Sequence, residues 1–198
     1  MAIEIPLITF VDTNPEVVFA MREVLCRKNR NISCIHGNIL DYDGSLVSPS
    51  NSYGNMDGGI DRLYREVFSR DGFDIENEIK AYIEHFHGGK LNFGKAQIVP
   101  TYDEKNPYII FSPTIEKPGD LANAENVKEA MQAILGEVID FNKRSSSTCI
   151  DSIDKLLVPG LGTGYGQLDP EESAGAILSA YCATLKKHDP EAYKKICE

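Results

Sequence analysis

The chain has 198 residues, 42% of them hydrophobic and 25% charged, which is typical of a soluble globular protein able to bury its own core. Its formal net charge of -10, from 20 Lys and Arg against 30 Asp and Glu, disfavours nucleic acid and anionic membranes as partners. An anionic small ligand must then be held by backbone N–H groups rather than by a basic surface. The first residues do not resemble a signal peptide and no apolar run is long enough to cross a bilayer, so we expect a cytoplasmic protein, with the nucleus as an additional location.

Apolar runs rich in β-branched residues alternate with segments of helical periodicity along the chain. We predict strands at Ile5–Val11, Asn31–Ile35, Ser45–Ser48, Ala96–Thr101, Tyr108–Ser112 and Lys155–Pro159. Between and after them we predict helices at Asn14–Lys28, Ile60–Phe68, Ile75–His87, Ala124–Phe141 and Pro170–Lys186, a short last helix, and a polar loop at Lys143–Thr148. Thr13 or Asn14 caps the first helix, and Gly88 and Gly89 stop the third. This alternation predicts an α/β fold with a mostly parallel sheet and helices on both faces, in a single domain over residues 1–198.

The numbers and spacing of the cysteines and histidines indicate whether disulfides or metal sites are expected. The five cysteines (Cys26, Cys34, Cys149, Cys182 and Cys197) are odd in number and irregularly spaced, which predicts reduced thiols rather than disulfides. The four histidines are scattered and no metal-binding spacing occurs. We therefore expect no metal and no cofactor, and the sequence does not predict the oligomeric state.

Two glycine-rich loops follow predicted strands, where ligands of parallel sheets bind. In the later loop, residues 159–170, the glycines Gly160, Gly162, Gly164 and Gly166 alternate with Leu161, Thr163, Tyr165 and Gln167 between a strand and a helix. Successive N–H groups in such a turn form an anion-binding concavity, so the loop predicts a phosphate site without basic side chains. Thr163 is expected to add a hydroxyl donor and Tyr165 an aromatic wall for a sugar.

The earlier loop, residues 49–61, also runs into a predicted helix. Gly58, Gly59 and Ile60 offer N–H donors at that helix N-terminus, beside the carboxylates of Asp57 and Asp61. Each carboxylate alone is typical of an ordinary first-turn acid that complements the helix dipole. Together with Asn51 and the facing glycine loop, the pair favours catalysis, in which a carboxylate activates a water that attacks the anomeric carbon of a ribose.

At these residues the sequence resembles the macrodomain family, in particular a branch related to phage-tail-like macrodomain proteins. The resemblance is carried by SPSNSYGNMDGGID and VPGLGTGYG, and it extends to HGNIL, FGKAQIVPTY and IIFSPT. It covers most of the chain from residue 32 to residue 185. It implies a three-layer α/β/α fold with a mixed, mostly parallel sheet that binds ADP-ribose, in many members with hydrolysis of ADP-ribosyl linkages.

The resemblance also assigns roles to single residues. Asn38, followed by Ile39, stands where the family has the Asp that reads the adenine amino group, and Asn51 matches the Asn that contacts the distal ribose. Residues 58–60 match the first phosphate loop, Asp61 the catalytic Asp of MacroD-type hydrolases, and Tyr165 the aromatic residue on the distal ribose. Three departures are Asn38 for Asp, Ser48 for the first Asn of the family's NAAN stretch, and Asp57 where those hydrolases carry glycine.

Other classes of protein fit less well. A methyltransferase requires a glycine-rich loop after the first strand, and none follows Ile5–Val11. Residues 89–95 nearly spell a P-loop, but Ala96 replaces the Mg²⁺-binding Ser or Thr. The sequence therefore predicts hydrolysis of mono-ADP-ribosyl linkages to Asp, Glu or Arg of a protein partner, by Asp57, Asp61 and Asn51. The alternatives are a non-catalytic ADP-ribose reader, or processing of ADP-ribose 1″-phosphate or O-acetyl-ADP-ribose.

Overall fold

A computed structural model of the chain describes residues 5–26, 29, 31–145 and 152–197. In chain order the elements are β1 Leu7–Asp12, α1 Pro15–Met21 with a π-helical continuation Arg22–Cys26, β2 Ile32–His36, a 3-10 turn Ile39–Asp41, β3 Ser45–Ser48, α2 Gly59–Phe68, α3 Ile75–His87, β4 Gln97–Pro100, β5 Tyr108–Phe111, α4 Ala124–Ser145, β6 Lys155–Val158, α5 Pro170–His188 and α6 Pro190–Ile196. Every predicted strand and helix is present, with bounds that differ by a few residues.

The strands form one sheet in the order β2-β1-β6-β3-β5-β4 within the described part of the chain. All neighbours are parallel except β4, which pairs antiparallel with β5 at the edge. Because β6 lies between β1 and β3, the loops that leave the carboxyl ends of these three strands emerge side by side. The mixed, mostly parallel sheet predicted from the sequence is confirmed.

Two hydrophobic cores cover the two faces of the sheet. On one face α1, α4 and α5 pack against side chains such as Phe10 and Val158, and on the other α2 and α3 pack against side chains such as Leu46 and Leu157. Leu157 and Val158 are consecutive, so their side chains point to opposite faces, as the period of a strand requires. The result is the three-layer α/β/α arrangement.

Local signals explain most helix ends. The Asn14 side chain caps α1, Asp74 caps α3, and Asp169 caps α5, whose first residue is Pro170. Helix α3 ends at Gly88, which has a φ of 65° and the left-handed conformation that glycine adopts readily.

Two predicted segments need correction. The helix predicted over Asn14–Lys28 is α-helical only to Met21 and then widens into a π-helical segment to Cys26, while Arg27 and Lys28 lie outside the described residues. Helix α4 continues beyond its last apolar residue, Phe141, so the polar loop predicted over Lys143–Thr148 is helical as far as Ser145. The other three positions lie outside the described residues.

The prediction of reduced cysteines is wrong for one pair. Cys182 in α5 forms a disulfide with Cys197, at a Cα–Cα distance of 5.9 Å. The pairing arises because α6 turns back along α5, a contact that cysteine spacing does not reveal. Cys26 and Cys34 are free and their sulfur atoms lie 2.8 Å apart, whereas Cys149 is outside the described residues.

The described residues contain neither a membrane span nor a metal-binding cluster. None of their helices combines the length and apolar character needed to span a bilayer. No group of three or more His, Cys, Asp or Glu side chains among them is placed to hold a metal ion.

Candidate functional site

A cleft of about 670 Å³ opens at the carboxyl ends of β1, β6 and β3. This volume lies within the range of pockets that enclose a cofactor-sized ligand. The cleft contains the site residues predicted from the sequence with one exception; those lining it are Asn38, Ile39, Asn51, Asp57, Gly58, Gly59, Ile60, Asp61, Gly160, Gly162, Thr163, Gly164, Tyr165 and Gly166. The two glycine loops therefore face one shared space.

Leu161 is the exception. Its side chain is fully buried in the core that α1 and α5 cover, and it does not line the cleft. Its carbonyl oxygen accepts a hydrogen bond of 2.7 Å from the Ser173 hydroxyl at the start of α5. The Leu161 side chain therefore anchors the loop to the core and does not reach the cleft, while ligand binding through the Leu161 backbone stays a prediction.

Close packing requires a glycine at three of the four glycine positions of the later loop. A Cβ at Gly160 would clash with Thr163 Oγ1 and with Val17 Cγ1, the latter at 2.6 Å. Gly162 has a φ of 73°, and a Cβ there would lie 2.9 Å from Val127 Cγ2. At Gly164, by contrast, a Cβ would have no atom within 4 Å. A Cβ at Gly166 would lie 2.6 Å from Ala122 Cβ, so the fold explains Gly160, Gly162 and Gly166, whereas no packing contact requires a glycine at position 164.

Two donors predicted for the phosphate are used within the protein. The Gly160 N–H donates to Asp12 Oδ2 at 3.0 Å, and the Thr163 hydroxyl donates to the Gly160 carbonyl at 3.1 Å. Asp12 Oδ1 also accepts from the Asn14 N–H, so this carboxylate ties the later loop to the end of β1. These contacts fix the shape of the loop and leave neither donor free for a ligand.

Other N–H groups of the later loop are available. In the described part of the chain, the backbone N–H groups of Gly162, Tyr165 and Gly166 make no hydrogen bond, although Gly162 and Gly166 are buried. Buried N–H groups in folded proteins are nearly always paired with protein, water or ligand. Since all three residues line the cleft, they are the natural donors to an anion bound there.

The N-terminus of α2 supplies the opposite wall. Its N-cap, Gly58, makes no side-chain capping bond, in contrast to the side chains that cap α1, α3 and α5. The N–H groups of the first turn and the positive end of the helix dipole are thus presented to the cleft, which Gly58, Gly59 and Ile60 line. Such a helix end favours a negatively charged group.

Tyr165 joins the two loops across the cleft. Its side chain is 69% exposed, and its ring lies over the earlier loop, since a Cβ built on Gly58 or Gly59 would be 3.3 Å from ring atoms. The ring therefore covers the segment that carries the α2 donors. The role of Tyr165 as an aromatic wall for a sugar stays a prediction.

Asn51 organises the earlier loop. Its side-chain oxygen accepts from the N–H groups of Tyr53 and Asn55, and its Nδ2 donates to the Asn55 carbonyl at 2.8 Å. Asn51 is buried and lines the cleft. Because the bond to Asn55 takes one of the two N–H groups of Nδ2, the other is the group with which Asn51 can reach a ligand.

The two candidate carboxylates have different environments. Asp57 is 80% exposed at its side chain and forms an ion pair of 3.3 Å with Arg65. Asp61 is buried within the first turn of α2 and accepts a hydrogen bond of 2.6 Å from the Ser48 hydroxyl at the end of β3. Burial raises the pKa of Asp61 from its ordinary value of 3.8 to about 7, and the bond from Ser48 opposes that rise. Asp61 can thus take or release a proton near neutral pH.

At the other end of the cleft lie Asn38 and Ile39. The Asn38 Oδ1 accepts from the Leu40 N–H at 3.1 Å and so caps the short 3-10 turn. Residues from β1 and from the segment after β5 complete the cleft, and sequence reasoning had not assigned them; they include Asp12, Thr13, Asn14, Thr114, Pro118 and Gly119. The strand order, which places β1 beside β6, is the signal that identifies the first three.

Comparison with known proteins places the chain in a family. The family model of the macro domain matches residues 47–177, more than half of the chain. An uncharacterized protein of Aquifex aeolicus (strain VF5) is 26% identical over 167 residues, which cover 84% of this chain and 87% of that protein.

Solved structures share the fold at low sequence identity. The macrodomain of Mycobacterium tuberculosis DarG superposes with a TM-score of 0.60 at 21% identity, covering 75% of this chain and 88% of that one. A mutant of the Oceanobacillus iheyensis macrodomain with ADPR gives a TM-score of 0.59 at 13% identity, covering 96% of this chain and 83% of that one. The chain therefore belongs to the macro domain family.

Proposed function

We propose that the protein binds ADP-ribose in the cleft and hydrolyses mono-ADP-ribosyl linkages to Asp, Glu or Arg side chains of partner proteins. The observation that carries the proposal is the combination of unpaired N–H groups on two facing loops with one buried carboxyl group, all lining a single cleft. The structural similarity to a macrodomain with ADPR supports the choice of ligand.

The diphosphate is assigned to the space between the loops. Gly162, Tyr165 and Gly166, whose N–H groups make no hydrogen bond within the described residues, line this space together with the uncapped end of α2, which supports the assignment. This arrangement binds phosphate by backbone dipoles, which suits a protein with a net charge of -10. The adenosine then extends towards Asn38 and the distal ribose towards Asp61.

Asp61 is the better candidate for the catalytic base. A base with a pKa near the working pH accepts a proton efficiently, and the pKa of Asp61 is about 7. It would deprotonate a water that forms a bond to the anomeric carbon while the bond from that carbon to the amino-acid side chain breaks. Asp57 is exposed and paired with Arg65, so we assign it to the rim of the cleft, where the protein partner lies.

The decisive experiment follows release of ADP-ribose from two substrates, a protein modified on Glu and a protein modified on Arg. We expect the wild type to release ADP-ribose from at least one of them, Asp61→Asn to be slower by about a hundredfold or more, and Asp57→Asn to lose less than tenfold. Binding without release from either substrate would establish a reader instead. Parallel incubations with ADP-ribose 1″-phosphate and O-acetyl-ADP-ribose test the metabolite alternatives.

A further inference from the structure

Ser48 is the one described residue whose side chain hydrogen-bonds to the buried carboxyl of Asp61. Its hydroxyl donates to Asp61 Oδ1 at 2.6 Å. We propose that Ser48 is a positioning residue for the hydrolytic reaction: it holds Oδ1, so that Oδ2 is the oxygen that receives the proton of the attacking water. This inference rests on the proposed function, because it assigns Asp61 the part of the base.

The position of Ser48 is rigid. It is the last residue of β3, has no exposed surface, and pairs with Phe111 in the sheet. Its backbone carbonyl accepts from the Ser112 N–H at 3.1 Å. Because Ser48 is fully buried and its backbone is held by the sheet, its hydroxyl group has few allowed positions. The sheet therefore sets the direction of the hydrogen bond to Asp61.

The helix that carries Asp61 is attached to the same strand at a second point. The Tyr64 hydroxyl, one turn further along α2, donates to the Val47 carbonyl at 3.2 Å. Consecutive residues of β3 therefore hold consecutive turns of α2. The carboxyl group is thereby fixed in distance and in rotation, which is what a base needs in order to meet a water in one geometry.

The groups around Asp61 give the Ser48 hydroxyl a strong influence on the pKa of that carboxyl. Besides burial, the bond from Ser48 is the one influence that changes the pKa of Asp61, and it lowers it. The cations of the same helix, Arg62 and Arg65, form ion pairs with Glu66 and with Asp57 and Glu76, and neither lines the cleft. The other titratable groups nearby are neutral or acidic; they are Tyr64 on the same helix, Asp12 at the end of β1, and Asp57 and Tyr165 on the two loops. Burial raises the pKa of Tyr64 well above 10.0, with Asp61 and Asp12 adding to the rise, so its hydroxyl stays protonated. No neighbouring cation among the described residues would replace Ser48.

Removing the hydroxyl therefore has a specific expected effect. A hydrogen bond to a charged group contributes about 1.5 kcal/mol or more, which corresponds to about one pH unit in a titration. In Ser48→Ala the carboxylate of Asp61 loses that bond and is protonated more readily. The acid limb of the pH–rate profile should move up by about one unit, so that the rate at pH 6 falls about tenfold more than the rate at pH 9.

A matched control separates this effect from simple loss of stability. Ser112 is also fully buried at the end of a neighbouring strand, and its hydroxyl donates to the Lys95 carbonyl at 2.9 Å, away from the cleft. Ser112→Ala should lower stability by a similar amount and leave the acid limb where it is in the wild type. An acid limb that Ser48→Ala leaves unmoved would overturn the proposal.

A direct titration keeps the test valid if hydrolysis fails. The carboxyl carbon of Asp61 can be followed by ¹³C NMR from pH 4 to pH 9 in the wild type and in both serine variants. We expect its midpoint to rise in Ser48→Ala and not in Ser112→Ala. An unchanged midpoint in Ser48→Ala refutes the positioning role, whereas a shifted midpoint in a protein that releases no ADP-ribose refutes the proposed hydrolysis and leaves the contact established.

Discussion

The buried carboxyl of Asp61 should make the protein less stable at neutral pH than it would be with a neutral side chain. The folded protein binds the proton with a pKa of about 7 and the unfolded chain with the ordinary 3.8, so folding favours the protonated form. The free energy of unfolding therefore falls as pH rises between these two values, by about 1.4 kcal/mol per pH unit and roughly 4 kcal/mol in all. Above pH 7 the full cost of burying the charge is present.

Asp61→Asn removes this cost, since the amide carries no charge and its oxygen can still accept from Ser48. The unfolding free energy of the variant, relative to wild type, should rise by roughly 2 to 3 kcal/mol between pH 5 and pH 8. Urea unfolding at both pH values measures it, with Asp57→Asn as the control for loss of an exposed carboxylate of the same loop, since the Asp57 side chain is 80% exposed. A difference between Asp61→Asn and wild type that is the same at pH 5 and pH 8 would refute the assignment of a buried, proton-binding carboxyl.

Three further predictions follow from the same structure. Gly164→Ala adds a methyl group where no protein atom lies within 4 Å, so stability should be unchanged or slightly higher. Because Gly164 lines the cleft, affinity for ADP-ribose should fall at least about tenfold. The control is Gly136→Ala within α4, where the methyl group is equally unobstructed and affinity should be unchanged. Equal affinities of both variants by calorimetry would contradict the role given to Gly164. Hydrolysis by the wild type should rise with pH through about 7 as Asp61 loses its proton, and a rate that is flat from pH 5 to 9 would exclude Asp61 as the base. Cys182→Ala removes a disulfide that spans 15 residues, which should lower the unfolding free energy by about 3 kcal/mol under oxidising conditions. An unchanged urea midpoint would contradict the pairing.

Much of the fold was predictable because periodicity and capping residues act locally. Strand β3 and helix α3 have the predicted bounds, and Gly88 ends α3 with the left-handed conformation expected of glycine. The positions of the two glycine-rich loops were predictable for a related reason: both loops follow strands, and the carboxyl ends of parallel strands lie at one edge of the sheet.

The different environments of Asp57 and Asp61 were partly predictable from the sequence. Asp61, Tyr64 and Phe68 recur at helical spacing and are all buried, so the phase of α2 indicates that Asp61 points inward. Asp57 precedes the helix and has no such constraint. The pKa of Asp61, however, depends on the depth of burial and on Ser48, thirteen positions away, which the sequence alone does not place.

Contacts between distant parts of the chain were not predictable. The bond from Gly160 to Asp12 joins residues 148 positions apart, and it removes the N–H of Gly160 from the predicted phosphate donors. Leu161 lies among the cleft glycines in sequence but points into the core. The Cys182–Cys197 disulfide likewise depends on how α6 packs on α5. Each of these follows from the strand order and helix packing, not from local pattern.

The central claim is that backbone N–H groups on two facing loops hold the diphosphate of ADP-ribose. A ¹H–¹⁵N NMR titration with ADP-ribose observes those groups directly. We expect the signals of Gly59, Ile60, Gly162, Tyr165 and Gly166 to shift together and to saturate at micromolar ligand, while adenosine without phosphates leaves them nearly unchanged. Saturable binding that leaves these five signals in place, or no saturation with ADP-ribose well into the millimolar range, would contradict the claim.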